Sequence, residues 1–235
     1  MEFLPWISIG LYLLGVWSKR VIIVGAFVVQ VGYLLWRGLS IGRLPLVGLH
    51  DTLVFLSLST AAFGLVVSVA AEEKRNLLGW VGVLCVVFTG MAMLSRRVDS
   101  PLPPVLKTYW FELHVVLSFL SYGLFGVASV VSFTETSGKG PKLQYLTAYT
   151  GYILFSLSMV FGGIWAYFAW GTYWLWTPKE IWTTVLWLTY TVYLHLRFLG
   201  KDYERITLWV GRIGYLVVLF TYLGVGLLMK SSHSF

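Results

Sequence analysis

Eight apolar stretches, each near the length that crosses a lipid bilayer, fill almost the whole of this chain. They fall at about 3–18, 21–36, 48–70, 77–94, 109–133, 145–168, 180–198 and 206–229, where roughly 20 apolar residues suffice to span the hydrocarbon. The connections are short, and no stretch is left over for a soluble domain. Only 11% of the 235 residues are charged and mean hydropathy is +0.79, whereas soluble domains carry about 25% charged residues. These features predict an all-α fold: a polytopic integral membrane helix bundle of about eight transmembrane helices, forming one domain over 1–235. Its two N-terminal spans lie within 1–47.

The net charge of +7 does not call for a nucleic-acid partner, because loop lysines and arginines of a membrane protein account for it. Eight spans put both termini on one face. With that face outside, ten cations (Lys19, Arg20, Lys74, Arg75, Lys139, Lys142, Arg197, Lys201, Arg205 and Arg212) fall on the inner side. The other seven of the 17 fall outside, Arg37, Arg43, Arg96 and Lys179 among them. This inner excess places the connection between spans six and seven on the outer face. The single cysteine, Cys85, lies in an apolar run, so the chain offers neither an internal disulfide nor a C-x-x-C pair. The start "MEFLPW" is acidic and reads as the lead into an anchor rather than a cleavable signal.

Four histidines are present: His50, His114, His195 and His233. His114 falls about five residues into span five, roughly 7–8 Å below the outer boundary at about 1.5 Å per residue. His233 follows the last span, also outside. His50 begins span three in "HDT", where capping by Asp51 or Thr52 is the simple reading. His195 lies near the inner end of span seven, roughly 28 Å of helix from Trp176. One ligand therefore cannot reach both His195 and the tryptophans. Ionisable groups within spans are costly and mark function, which singles out His114 and His195.

The outer connection reads "WGTYWLWTPKEIW" (170–182). Trp165, Trp170, Trp174, Trp176, Trp182 and Trp187 concentrate around it, and Trp170 and Trp174 share a face if that piece is helical. An interfacial aromatic belt is the plain explanation. A shelf for a large flat ligand such as a porphyrin is the functional one, since histidine is the common axial ligand of haem iron. Thr177, Pro178 and Glu180 spell a capping box with proline at the first helical position, which starts span seven.

The stretch 170–197, "WGTYWLWTPKEIWTTVLWLTYTVYLHLR", resembles the tryptophan-rich signature of the CcsA/ResC cytochrome c biogenesis proteins, a superfamily that also holds CcmC and CcmF. "LPPVLKTYWFELHVVLSFLSYGLF" (102–125), "FTYLGVGLLMKSSHSF" (220–235) and, more weakly, "GLHDTLVFLSLS" (48–59) resemble other segments of that family in the same order. A family-like core thus runs over 48–235, with the tryptophan-rich loop at 165–182. The resemblance implies that His114 and His233 ligate haem iron on the outer face. It also implies that Trp170, Gly171, Tyr173, Trp174, Trp176, Glu180 and Trp182 belong to the loop that holds the ring, and that His195 belongs to a second, inner haem site.

The implied activity is movement of haem b, bound non-covalently, from the inner to the outer side, and its presentation to C-x-x-C-H motifs of apocytochrome c. The implied setting is a haem–cytochrome c ligation complex with a ResB/CcsB-like membrane subunit, in the cell membrane or, in a plastid, the thylakoid membrane. No second histidine or methionine stands at the depth of His195, so a six-coordinate inner haem needs its other ligand from another chain. Arg96, Arg97, Lys107 and Lys179 are outer cations that could pair with propionates, and ordinary loop charge accounts for any one of them equally well. The family generally has Asp where this chain has Thr177. Other readings are a b-type haem electron-transfer subunit, which pairs histidines at matching depth; a HemX-like regulator, which lacks the ligands; and a solute transporter, which breaks its spans at the midplane.

Overall fold

A computed structural model of the chain describes residues 1–17, 20–135 and 138–228. Among them there is no strand. Eight helices follow in order: α1 (Leu4–Trp17), α2 (Arg20–Ile41), α3 (Leu49–Val67), α4 (Lys74–Met93), α5 (Tyr109–Thr134), α6 (Gly140–Trp170), α7 (Pro178–Leu199) and α8 (Glu204–Leu228), the last interrupted by a π turn at Phe220–Gly224. Helices α2, α3, α4, α5, α6 and α8 are long and apolar enough to cross a membrane. α1 is apolar but has 14 residues. α7 has 22 residues, yet its threonines, tyrosines and terminal charges dilute its hydropathy. α6, with 31 residues, is about 46 Å long. It overruns a hydrocarbon core of about 30 Å, and its excess length carries Trp165 and Trp170.

α5 runs through the middle of the bundle and is buried along most of its length. α3, α6 and α8 pack around it, and α7 closes against α6 and α8. The core where they meet is aromatic: Phe125 stacks on Tyr190 with ring centroids 3.6 Å apart, and Phe119 meets Tyr222 edge-on at 4.9 Å. Such pairs add about 0.5–1.5 kcal/mol to the burial of their area.

α1 and α2 are fastened to α3 and α4 by a buried polar network. The Tyr12 hydroxyl donates to Gln30 Oε1 (2.8 Å), Gln30 Nε2 donates to Thr89 Oγ1 (3.0 Å), and Thr89 donates to Ser57 Oγ (2.9 Å). Cys85, fully buried, sits beside it with its Sγ 3.4 Å from the Ser57 carbonyl. In hydrocarbon, where water is absent, a closed network of this kind specifies which helix faces meet.

The start of α3 departs from the capping expected of "HDT". The N-cap is Gly48, with φ 90° and no side-chain cap bond. Asp51 turns away to Arg37 of α2 (Nε–Oδ1 3.1 Å), and the Thr52 hydroxyl donates back to the Gly48 carbonyl at 2.7 Å. His50, at 1% exposure, is buried rather than interfacial. Its Nδ1–H donates to the Ala92 carbonyl (2.8 Å) and its Nε2 accepts from the Tyr33 hydroxyl (2.7 Å). The physical reason is that α2 brings an arginine and a tyrosine to this corner, and a buried carboxylate takes a cation before it takes a backbone amide.

Candidate functional site

The tryptophan-rich stretch is helical at both ends and non-helical only over 171–177. α6 ends at Gly171, which adopts the left-handed conformation (φ 76°) that closes a helix, and its N–H bonds the Tyr167 carbonyl at 2.8 Å. Trp170 and Trp174 therefore do not share a helical face. The chain resumes as helix at Pro178, where the expected capping box is present. Thr177 Oγ1 accepts from the Glu180 N–H, and Glu180 Oε2 accepts from the Thr177 N–H at 2.8 Å. The same Glu180 oxygen also accepts from the Leu175 N–H at 3.0 Å. Glu180 thus clamps both neighbours of Trp176, which stands at φ 58°, a left-handed conformation costly for a bulky residue, with its side chain 69% exposed.

Behind this loop lies a cavity of about 330 Å³, within the range of small-molecule sites. α3 contributes Leu49 and Thr52, α5 contributes Phe111, His114, Phe119 and Tyr122, α6 contributes Met159 and Trp165, the loop contributes Tyr173 and Trp174, and α7 contributes Lys179 and Glu180. The π turn brings Thr221 and Tyr222 of α8 to the wall, and the Tyr222 and Thr52 hydroxyls lie 2.7 Å apart. A π turn inserts one extra residue per turn and re-aims side chains, which is why such turns recur at sites.

His114 is held from α6. Its Nδ1–H donates to the Ser158 carbonyl at 2.8 Å. The Ser158 hydroxyl donates to the His114 carbonyl at 3.0 Å, and the Ser118 hydroxyl donates to the same carbonyl at 2.8 Å. A carbonyl on Nδ1 fixes the tautomer and leaves the Nε2 lone pair for the cavity, the arrangement found behind metal-binding imidazoles. Gly162 makes the room: a Cβ there would stand 2.6 Å from His114 Nδ1. Ser158 and Gly162 seat the His114 ring, and spacing did not reveal them. The Gly162–Gly163 pair inside an apolar run was the available signal, since paired small residues let another helix come close.

Of the residues singled out from the sequence, His114, Tyr173, Trp174 and Glu180 share this cavity. Trp170 and Gly171 sit at the helix end beside it, and Trp170 packs edge-on against Trp165 at 4.8 Å. The buried Trp165 indole donates to the Val105 carbonyl at 2.8 Å, bracing the 102–106 segment. Trp182 packs on Phe220 at 4.4 Å, outside the lining, and Trp176 projects from the loop. Trp187 lies farther along α7, stacked on Tyr152. Among the four propionate candidates Lys179 alone lines the cavity; Arg97 pairs with Glu2 at 2.9 Å. His233 lies outside the described residues. α8 reaches the cavity with Gly226 and Leu227 just before its end.

His195 stands toward the other end of α7, roughly 26 Å of helix from Pro178. It is exposed on the side of the bundle, its Nδ1–H bonded to the Thr191 carbonyl at 2.8 Å. It shares a stripe with Ile181, Val185, Leu188, Val192 and Leu199, all exposed. Their spacing of four, three, four, three and four residues is that of a helix seam.

The cytochrome C assembly protein family matches residues 46–233. Cytochrome c biogenesis protein CcsA of Trieres chinensis is 29% identical over 98% of this chain and 91% of its own length. The protein of that name from Chlamydomonas reinhardtii is 30% identical over 86% of this chain and 64% of its own, and that of Synechococcus sp. (strain RCC307) 28% over 92% and 84%. Among solved structures, cytochrome c heme lyase CcmF superposes with a TM-score of 0.74 at 16% identity. The superposition covers 94% of this chain but 46% of that one. It is a likeness of fold.

Proposed function

This chain belongs to the cytochrome c assembly protein family and takes part in cytochrome c maturation, and we propose that its share is to hold haem at the cavity beneath the tryptophan-rich loop for attachment to apocytochrome c. The observation that carries this reading is the seating of His114. Its Nδ1 is committed to the Ser158 carbonyl while its ring lines a largely apolar cavity that also holds Trp174 and Lys179. Those residues fit a haem: an imidazole Nε2 for the iron, flat apolar walls for the ring, and a cation for a propionate. The cargo supplies its own iron and vinyl chemistry; the protein supplies orientation and exclusion of water. Glu180, by clamping Leu175 and Thr177, fixes the exposed Trp176 at the mouth, where a haem edge meets its acceptor.

The second axial ligand on this side is His233. It follows Leu228 by five residues, a reach of up to about 17 Å of extended chain, and the helix it follows lines the cavity. The distribution of cations supports taking the loop end as the extracytoplasmic face. At the other end His195 receives haem b. Its exposure in an otherwise apolar seam supports a partner helix there, of a ResB/CcsB-like subunit, bringing the opposite axial ligand, because a lone polar imidazole facing lipid is costly.

Haem content of the full-length protein purified in nanodiscs tests the assignment. His114→Ala is expected to lose the loop-side haem; unchanged haem content would overturn the site. His195→Ala is expected to lower delivered haem while still accepting haem supplied from the loop side. Wild-type amounts in that variant would remove the second site.

A further inference from the structure

Buried polar atoms without a hydrogen-bond partner are rare in folded proteins, and each needs a physical account. Among the described residues seven side-chain atoms are in this state: Arg43 Nη1, Asp51 Oδ2, Gln144 Nε2, Arg212 Nε and the hydroxyls of Tyr190, Tyr193 and Tyr215. Five of them come from one region, where α5, α6, α7 and α8 meet in the half of the bundle away from the tryptophan-rich loop.

Two small residues bring them together. On α8, Gly211 faces Gln144 Nε2 of α6 and the Tyr193 ring of α7. One turn on, Gly214 faces the Tyr190 hydroxyl, which would lie 3.3 Å from a Cβ there. Tyr190 stacks on Phe125 of α5, and the Tyr215 hydroxyl lies against the adjacent Gly126, 2.8 Å from where its Cβ would be. Arg212 donates from Nη2 to the Ser132 carbonyl at 2.8 Å, leaving Nε unpaired. The four uncharged side chains are each nine-tenths or more buried. Left dry, each would carry the desolvation penalty of an unpaired polar group.

An independent feature lies at the end of this seam: a cavity of about 70 Å³ lined by Ser132, Glu135, Gln144, Arg197 and Glu204. At roughly 30 Å³ of liquid volume per molecule it has room for about two waters. Gln144 belongs both to its wall and to the unpaired set. We propose that the seam is a water-binding site. Ordered waters enter past Glu135, Arg197 and Glu204, pair with Gln144 and Tyr193, and continue to Tyr190 and Tyr215, bridging the hydroxyls that the helices leave unpaired. The glycines of α8 are what keep this polar file open against α7. The site stands apart from the loop-side cavity and from His195, which projects from the other face of α7, so its test is independent of any haem role.

Hydroxyl-radical footprinting of the full-length protein in phosphatidylcholine nanodiscs, in water labelled with oxygen-18, reads the waters directly. Tyr190 and Tyr193 should be modified at least about tenfold faster than Tyr12 and Tyr33. Those two are equally buried but have hydroxyls already paired with Gln30 and His50. Equal rates for all four would overturn the proposal. Melting temperature gives a second reading with opposite signs. A water-bridged hydroxyl makes Tyr193→Phe and Tyr190→Phe lower the midpoint, whereas a dry unpaired hydroxyl makes its removal neutral or stabilising. A raised or unchanged midpoint in both variants would overturn it equally.

Discussion

Gly162 governs the orientation of His114 by being small. The imidazole lies against the α6 backbone so closely that a methyl group at 162 would contact Nδ1 and Cε1 at 2.6 and 2.9 Å. Its only relief is to swing the ring off the Ser158 carbonyl, because the backbone of α6 is fixed by its own helix. Loss of the partner that orients a metal-binding imidazole lowers affinity about 10–100-fold. Gly162→Ala should therefore weaken loop-side haem binding by about that factor, read by titrating haem into the nanodisc protein. Ala is also the better helix former, by about 0.8–1 kcal/mol, so the melting temperature should hold or change little. Undiminished haem affinity in a folded Gly162→Ala protein would show that the ring does not need its Ser158 bond.

At the scale of the element, α7 shows how much one start signal decides. Its capping box satisfies backbone donors at the helix start, and Glu180 serves Leu175 as well, so a single helix start also shapes the loop before it. Asp and Thr are both strong N-caps, and replacement by a residue with no oxygen costs about 0.5–2 kcal/mol. Thr177→Asp should match the parent in haem retention and melting temperature. Thr177→Val should lower stability by about that amount and loosen Trp176. A large gain from Asp would instead mark the position as an acid or a haem contact.

That helix start was legible because it depends on four neighbouring residues and no others. The long apolar runs were legible for the same reason, and α3 to α8 lie within a few residues of the stretches that predict them, apart from α6, whose helix starts five residues early. What sequence spacing could not supply was every feature that depends on a second helix. The capping expected of "HDT" gave way to Arg37 and Tyr33 of α2. The shared face expected of Trp170 and Trp174 gave way to the left-handed turn at Gly171. His114 was visible as an ionisable group in a span, but Ser158 and Gly162, forty-odd residues away in sequence, become its partners only once α5 and α6 pack.

At the scale of the whole molecule, the first two helices lie outside the 46–233 segment that matches the family, yet they are built into the bundle at two depths. Midway, Gln30 joins Tyr12 to Thr89 and Ser57. At the loop end, the buried Arg37 guanidinium pairs with Asp51 at the start of α3 and with Asp99 in the α4–α5 connection, and it reaches the Val98 carbonyl. Arg43 donates to that same carbonyl at 2.8 Å. One arginine of α2 thereby staples the first turn of α3 to the α4–α5 connection, and the segment that leads into that turn, through Leu46, Val47 and Gly48, forms a wall of the loop-side cavity. Removing one partner of a buried ion pair leaves an uncompensated charge and costs about 3–5 kcal/mol, whereas replacing both with apolar groups of similar volume is often neutral. Arg37→Met should thus melt well below the parent, and Arg37→Met with Asp51→Leu should recover most of the loss. Tryptophan fluorescence during thermal unfolding measures both. If the cavity wall depends on the staple, the double variant should regain stability yet still bind haem more weakly, because Met cannot hold Val98 and Asp99. A double variant as unstable as Arg37→Met alone would mean that the pair is not what joins α2 to the site.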